Sequence, residues 1–311
     1  KKIIKALYKA GCRYFFVATL DEAIKLRQTF KYGFLYVLNG VKKTDFNKYL
    51  IENNIIPIVN SIKNLEEIKS IKKKLNIGIH IDTGINRLGI PIYDLNKFNI
   101  DKKINITLVV SHLASADEKN NPYNNKQSKI FKIITNEYFK SNIKSMSNSA
   151  GLILGKNFHY DLTRPGIALY GGHNNTTLKN KIKPVVKLKA EILQIKKIYK
   201  NEFVGYNQTF HSKKNMIIAI IGIGYADGIS RQLSNKGFVY YKNFKFRIIG
   251  RISMDILTID ITSHAKVLKV GMFVELINYE NDIEKLAKRC GTISNEILTS
   301  ISDRIKKIYK K

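Results

Sequence analysis

Gly78-Ile-His-Ile-Asp-Thr-Gly-Ile-Asn-Arg-Leu-Gly89 is the stretch whose reading decides the fold. Gly78–Asp82 is a short β-rich run, a candidate strand. The Thr-Gly-Ile-Asn that follows is turn chemistry, and it carries Arg87. Working outward, similar runs stand at Tyr14–Ala18, Phe34–Leu38, Ile55–Val59, Ile106–Ser111, Lys144–Met146 and Gly166–Tyr170. Most start 20 to 28 residues after the previous one, with one gap of 38. Helical patterns fill the intervals: Asp21–Phe30, Phe46–Asn53, Ser61–Leu75 and Lys126–Phe139. Strand–helix alternation at this spacing predicts βα units and a parallel sheet. Seven strands is one short of a closed eight-fold α/β barrel. The expected fold is therefore a (β/α)8 TIM-type barrel missing its first strand, with an open doubly wound sheet as the alternative. Ile3, Ile4, Leu7 and Ala10 mark an opening helix, so the missing strand would precede residue 1.

Near residue 180 the pattern changes. Lys187–Ile195, Met216–Ile223, Phe238–Tyr241, Phe244–Ile249, Ile256–Ile261 and Met272–Leu276 follow one another without long helices between them, and turn signals such as Asn235–Gly237 separate them. This predicts a mostly antiparallel β domain, closed by helices at Ile283–Lys288 and Ile293–Ile301. Residues 173–183, rich in Asn, Thr and Lys, are the expected linker, giving domains of 1–178 and 179–311.

The 311 residues are 44% hydrophobic, enough for a sizeable core, which excludes disorder as the main state. Cys12 and Cys290 stand far apart, so no disulfide framework and no Cys-based zinc site is expected, and no metal site at all. That usage fits a reducing, cytoplasmic compartment. No apolar run reaches the roughly 18 residues of a membrane-spanning helix. Lys5 and Lys9 interrupt any signal-peptide core in the basic opening segment. The net charge of +30 comes from 45 Lys and only 9 Arg, spread without a dominant block. Specific base readout favours Arg forks, so this is read as a compositional bias rather than a specific nucleic-acid surface.

In a barrel the chemistry sits at the C-terminal ends of the strands. There the sequence places Arg87, Ser111-His112, Ser147-Asn148-Ser149 and Thr163-Arg164-Pro165-Gly166-Ile167. Taken singly, each has an ordinary reading as a turn, a cap or a solvated charge. Together, two Arg, one His, a Ser and glycines at one rim suit a phosphorylated, planar anion, because backbone N–H and hydroxyl groups bind phosphate and Arg offers a fork.

Seven segments stand in the order and spacing of one family: VATLDEAIKLR (17–27), HIDTGINRLG (80–89), SHLASADE (111–118), SNSAG (147–151), RPGIALYG (164–171), GIGYADG (222–228) and GRISMD (250–255). The chain resembles the alanine racemases, which use pyridoxal 5'-phosphate. The resemblance implies racemisation of L- and D-alanine through a cofactor aldimine by a two-base mechanism, supplying D-alanine for peptidoglycan. It implies a homodimer whose site is completed by the partner subunit. Tyr225 resembles the catalytic base, and a phenol is a poor base at neutral pH unless cations stand close. Arg87 resembles the contact to the cofactor phenolic oxygen and the substrate carboxylate. Arg164 resembles the arginine facing the pyridine nitrogen, buttressed by His112. Ser149, Gly166 and Ile167 resemble phosphate ligands, beside Asn148. Met254 would offer its N–H to the substrate carboxylate, with Asp255 supporting that loop.

The sequence departs from the family pattern in four places. The lysine–alanine–asparagine–alanine–tyrosine–glycine motif, whose lysine carries the cofactor and serves as the second base, is absent along with its strand, so the chain as given is expected to be inactive. His80 stands where many members have a carbamylated lysine. Ser253 replaces a common cysteine. Ser302-Asp303-Arg304 stands where some members have a phosphate-binding tyrosine, and Asp303 is given no role. The competing readings are a non-catalytic pseudoenzyme and a related pyridoxal-phosphate racemase or decarboxylase acting on another amino acid.

Overall fold

The computed structural model describes residues 2–42, 44, 54–71, 74–173 and 181–310. It divides into two compact units, Lys1–Pro165 and Gly166–Lys311. In the first, α1 (Lys2–Lys9), β1 (Tyr14–Val17), α2 (Leu20–Arg27), β2 (Phe34–Val37), β3 (Ile55–Val59), α3 (Ile62–Lys69) and β4 (Leu75–Asp82) alternate as the spacing predicts. After a two-residue β5 (Ile90–Pro91) come β6 (Ile104–Val110), α4 (Pro122–Tyr138) and β7 (Ile143–Ser145). The strands pair in parallel in the order β1-β2-β3-β4-β6-β7, with β5 on β4. This is a curled, TIM-like half-barrel sheet. Every residue of β3 is buried, which explains the unbroken apolar run that marked it in the sequence.

Local chemistry starts the helices where the sequence places them. Thr19 caps α2 in a reciprocal box: its hydroxyl accepts the Glu22 N–H, and the Glu22 carboxylate accepts the N–H of Thr19 at 3.1 Å. Asn121 caps α4 ahead of Pro122, whose missing N–H costs nothing in the first turn. Arg27, fully buried at the end of α2, donates to the carbonyls of Tyr32 (2.8 Å), Gly33 (2.8 Å) and Asn54 (3.0 Å), tying the helix to the strands beside it.

Two expectations shift. Gly166–Tyr170 is not a strand but a 3-10 turn, Ile167–Tyr170. Pro165 fixes its own φ, Gly166 leaves the extended region at φ −116°, ψ −83°, and Gly171 closes the turn at φ +88°. Among the described residues, the sheet gains only a single parallel bridge beyond β7, Ser145 to Leu162. The helix predicted over Ser61–Leu75 ends at Lys69, and Leu75 already opens β4. The helix predicted over Phe46–Asn53 lies outside the described residues, as does most of the expected linker. The compact units part at Pro165, and Ile167 packs into the core of the second unit.

That unit is built on a closed antiparallel barrel in the order β11-β14-β13-β12-β15-β8. Its strands are β8 (Leu188–Ile198), β11 (Met216–Ile221), β12 (Phe238–Tyr241), β13 (Phe244–Ile249), β14 (Leu257–Asp260) and β15 (Phe273–Ile277), with a small hairpin of β9 (Phe203–Val204) and β10 (Phe210–His211). Alternation along β8 turns Leu188, Ala190 and Ile192 inward, where they meet Ala219, Phe246, Ile259 and Val274. Closure removes the sheet edges. Helices α5 (Ile283–Cys290) and α6 (Ser294–Ser300) follow.

Candidate active site

In the first unit the chemistry-bearing residues stand at the strand ends. Asp82, the last residue of β4, folds the Arg87 loop: its Oδ1 accepts the N–H of Gly84 at 2.9 Å and of Asn86 at 3.2 Å. Gly89 closes that loop at φ +129°, where an added Cβ would lie 2.8 Å from the Asp82 nitrogen. Arg87 is exposed on this loop. Thr83 and Ser111 share a hydroxyl–hydroxyl bond of 2.8 Å, linking the ends of β4 and β6. Gln127 of α4, fully buried, donates to Thr83 Oγ1 (3.1 Å) and to the His112 carbonyl (3.0 Å), and accepts the Ala114 N–H (2.9 Å).

Arg164 is held by neutral oxygens. It donates to Ser145 Oγ at 2.5 Å, to the Ser111 carbonyl at 2.6 Å and to the Met146 carbonyl at 3.5 Å, while its own N–H meets the Ser147 carbonyl at 2.8 Å. Three of its five side-chain donors are thus engaged. Burial, and then the Arg87 cation, lower its pKa to about 10, so it keeps its proton at neutral pH. Among the described residues no carboxylate lies within 4.0 Å of Arg87 or Arg164, so both cations face the site without an anionic partner.

Two histidines complete this cluster. His80 Nδ1 lies 2.9 Å from Asn60 Oδ1. The Asn60 amide donates to the carbonyls of Leu38 and Ile58, so its oxygen accepts and Nδ1 carries the proton. His80 Nε2 is then a buried lone pair with no protein partner. Burial first, then the cations of Arg164 and Arg87, push His80 down to about 4. The same causes, in the same order, push His112 down to about 3. His112 Nε2 stands 3.5 Å from the Asn148 amide nitrogen. Asn148 Oδ1 accepts the Gly151 N–H at 2.9 Å and so shapes the turn that carries Ser149, which is buried. The direct holders of Arg164 are Ser145 and Ser111. The sequence reading placed Ser111 at this rim without giving it a role and passed over Ser145 and Gln127; a serine at each of two neighbouring strand ends was the available signal.

In the second unit, the turn opening at Gly166 presents backbone next to open space, since a Cβ built there meets no atom within 4 Å. Ile167 is buried in the barrel core. Tyr225 and Met254 stand together on two loops laced by backbone bonds. Tyr225 N–H meets the Ser253 carbonyl and Ala226 N–H the Met254 carbonyl, each at 3.0 Å. The backbones are so close that a Cβ on Gly224 would sit 2.2 Å from the Met254 oxygen, so only glycine fits. Tyr225 (43%) and Met254 (53%) are both exposed, and Arg231 lies 5.9 Å from the Tyr225 ring centre. A pocket of about 470 Å³ opens beside Tyr225, lined also by Ser230, Arg231, Cys290 and Glu296. Asp303 pairs with Lys307 at 2.8 Å.

These residues fit pyridoxal 5'-phosphate. In the first unit two cations, with no anionic partner among the described residues, and a buried acceptor nitrogen with no protein partner stand at one rim.

Residues 1–174 match the family model described as alanine racemase, N-terminal domain, and residues 185–309 the one described as alanine racemase, C-terminal domain. An alanine racemase of Rickettsia akari is 40% identical over 99% of this chain and 87% of its own length. The crystal structure of alanine racemase from Bartonella henselae with covalently bound pyridoxal phosphate superposes with a TM-score of 0.93 at 38% identity, covering 99% of this chain and 88% of that one. The biosynthetic alanine racemase of Pseudomonas aeruginosa gives 0.90 at 25% identity, covering 100% and 88%. With both domain models matched in order along one chain, this protein belongs to the alanine racemase family.

Proposed function

We propose that this protein is an isomerase of L- and D-alanine that uses pyridoxal 5'-phosphate, that it works in the cytoplasm as a homodimer in which Tyr225 enters the partner subunit's site and supplies D-alanine for peptidoglycan, and that these 311 residues by themselves turn over little alanine, since the family's lysine motif is not among them. The observation that carries the reading is the pair Arg87 and Arg164, cations at one set of strand ends with no carboxylate partner among the described residues. Ser149, Gly166 and Ile167 would hold the cofactor phosphate, Arg164 its ring nitrogen, and Arg87 its phenolic oxygen together with the substrate carboxylate. When bound, the cofactor supplies the electron sink for negative charge developing at Cα.

The protein's own groups do the rest. Tyr225 moves the Cα proton on one face, and inversion needs a second base on the opposite face, the role that the resemblance gives to the lysine of the motif absent from these residues. The Met254 amide and Arg87 orient the substrate carboxylate. Arg164 remains protonated at neutral pH, so it donates a hydrogen bond without giving up its proton. That tempers the sink and favours return of the proton to Cα over side reactions. His80 and His112 stay neutral and add no charge to the two arginines.

The test is D-alanine formation from L-alanine with added cofactor, by the protein made from its natural reading frame. Tyr225→Phe should lower the rate by about 10²–10⁴. Undiminished turnover by that variant would overturn the assignment, and preferential turnover of another amino acid would overturn the substrate.

A further inference from the structure

Tyr225 and Met254 ride on separate loops, and the two loops share one side-chain link. Arg304 Nη2 donates to Asp255 Oδ1 at 2.8 Å, one residue past Met254. Its Nε lies 3.4 Å from Asp227 Oδ1, two residues past Tyr225. Asp227 is buried, and its other oxygen accepts the Gly224 N–H at 2.9 Å, immediately before Tyr225. The segment carrying Arg304 is anchored independently: Ser302 N–H meets the Asp227 carbonyl at 3.3 Å, and Ser300 Oγ meets the Gly228 carbonyl at 3.3 Å. A guanidinium fork spanning two carboxylates fixes angle as well as distance, which a single ammonium does not. Both carboxylates hold the arginine firmly protonated.

We infer that Arg304 is a positioning residue that locks the Tyr225 loop to the Met254 loop, so that the phenol and the Met254 amide keep a fixed spacing. The inference rests on the reading of Tyr225 and Met254 as site residues. It goes beyond that reading because Arg304 touches neither substrate nor cofactor in it. Proton transfer is sensitive to misplacements of an ångström or less, so loosening this link should lower turnover without unfolding the barrel.

Amide hydrogen exchange tests it. In Arg304→Met, exchange at Tyr225 and Ala226 should rise about tenfold or more, while Ile218 and Ile259 in the barrel stay unchanged. Turnover of alanine should fall about tenfold and be partly restored in Arg304→Lys, which keeps one contact at a time. Asp255→Asn should behave like Arg304→Met, and the double variant should lose little more than either alone. Unchanged exchange at Tyr225 and Ala226, or an equal rise throughout the barrel, would overturn the inference. Full activity in Tyr225→Phe would instead overturn the underlying assignment while leaving the exchange result standing.

Discussion

His80 shows how one side chain is set by its surroundings. Its Nδ1–H is committed to Asn60, its Nε2 is buried, and two guanidinium groups stand near, so burial and both cations oppose protonation and outweigh the pull of Asp82. His112 shares these neighbours. Both folded values lie below the ordinary histidine value of about 6.5. The unfolded chain therefore takes up protons below that pH that the folded chain refuses. Stability should be intact above about pH 6.5 and fall by up to about 1.4 kcal/mol per histidine per pH unit as the pH drops toward the folded values. Urea unfolding at stepped pH checks this: His80→Asn should lose less stability than the parent between pH 6.5 and 4.5, and equal losses would contradict it. At the same scale, Gly89→Ala places a Cβ 2.8 Å from the Asp82 nitrogen at φ +129°. It should cost roughly 1–3 kcal/mol and displace the Arg87 loop, read as a raised KM for alanine.

Elements were legible in proportion to how local their causes are. The strands of the half-barrel and of the closed barrel were readable because buried runs and alternation are written along the chain, as in β3 and β8. The segment at Gly166–Tyr170 misled because its composition is that of a strand, whereas Pro165, Gly166 and Gly171 bend it into a turn. The family segments named Arg87, Arg164, Tyr225 and Met254 directly. Ser145, Gln127 and Arg304 carry no such local mark, since only the folded chain brings residues 227, 255 and 304 together. Arg27 belongs to the same class. Its three carbonyl partners tie α2 to the strands, so Arg27→Met should leave them unsatisfied and cost about 3 kcal/mol in urea unfolding. A cost near zero would show that water or a neighbouring group replaces it.

For the whole molecule, the division of labour between the two units is the central matter. The half-barrel unit carries Arg87, Arg164 and the histidines, and the barrel unit carries Tyr225 and Met254. The proposed dimer joins one subunit's arginines to the other's tyrosine. Mixing two disabled variants tests this directly. Arg87→Ala and Tyr225→Phe homodimers should each be nearly inactive in alanine racemisation. After joint refolding, half the dimers are hybrids, each with one intact site, so activity should return to about a quarter of the unsubstituted protein's. A refolded mixture that forms dimers yet stays as inactive as its two parents would contradict the shared site.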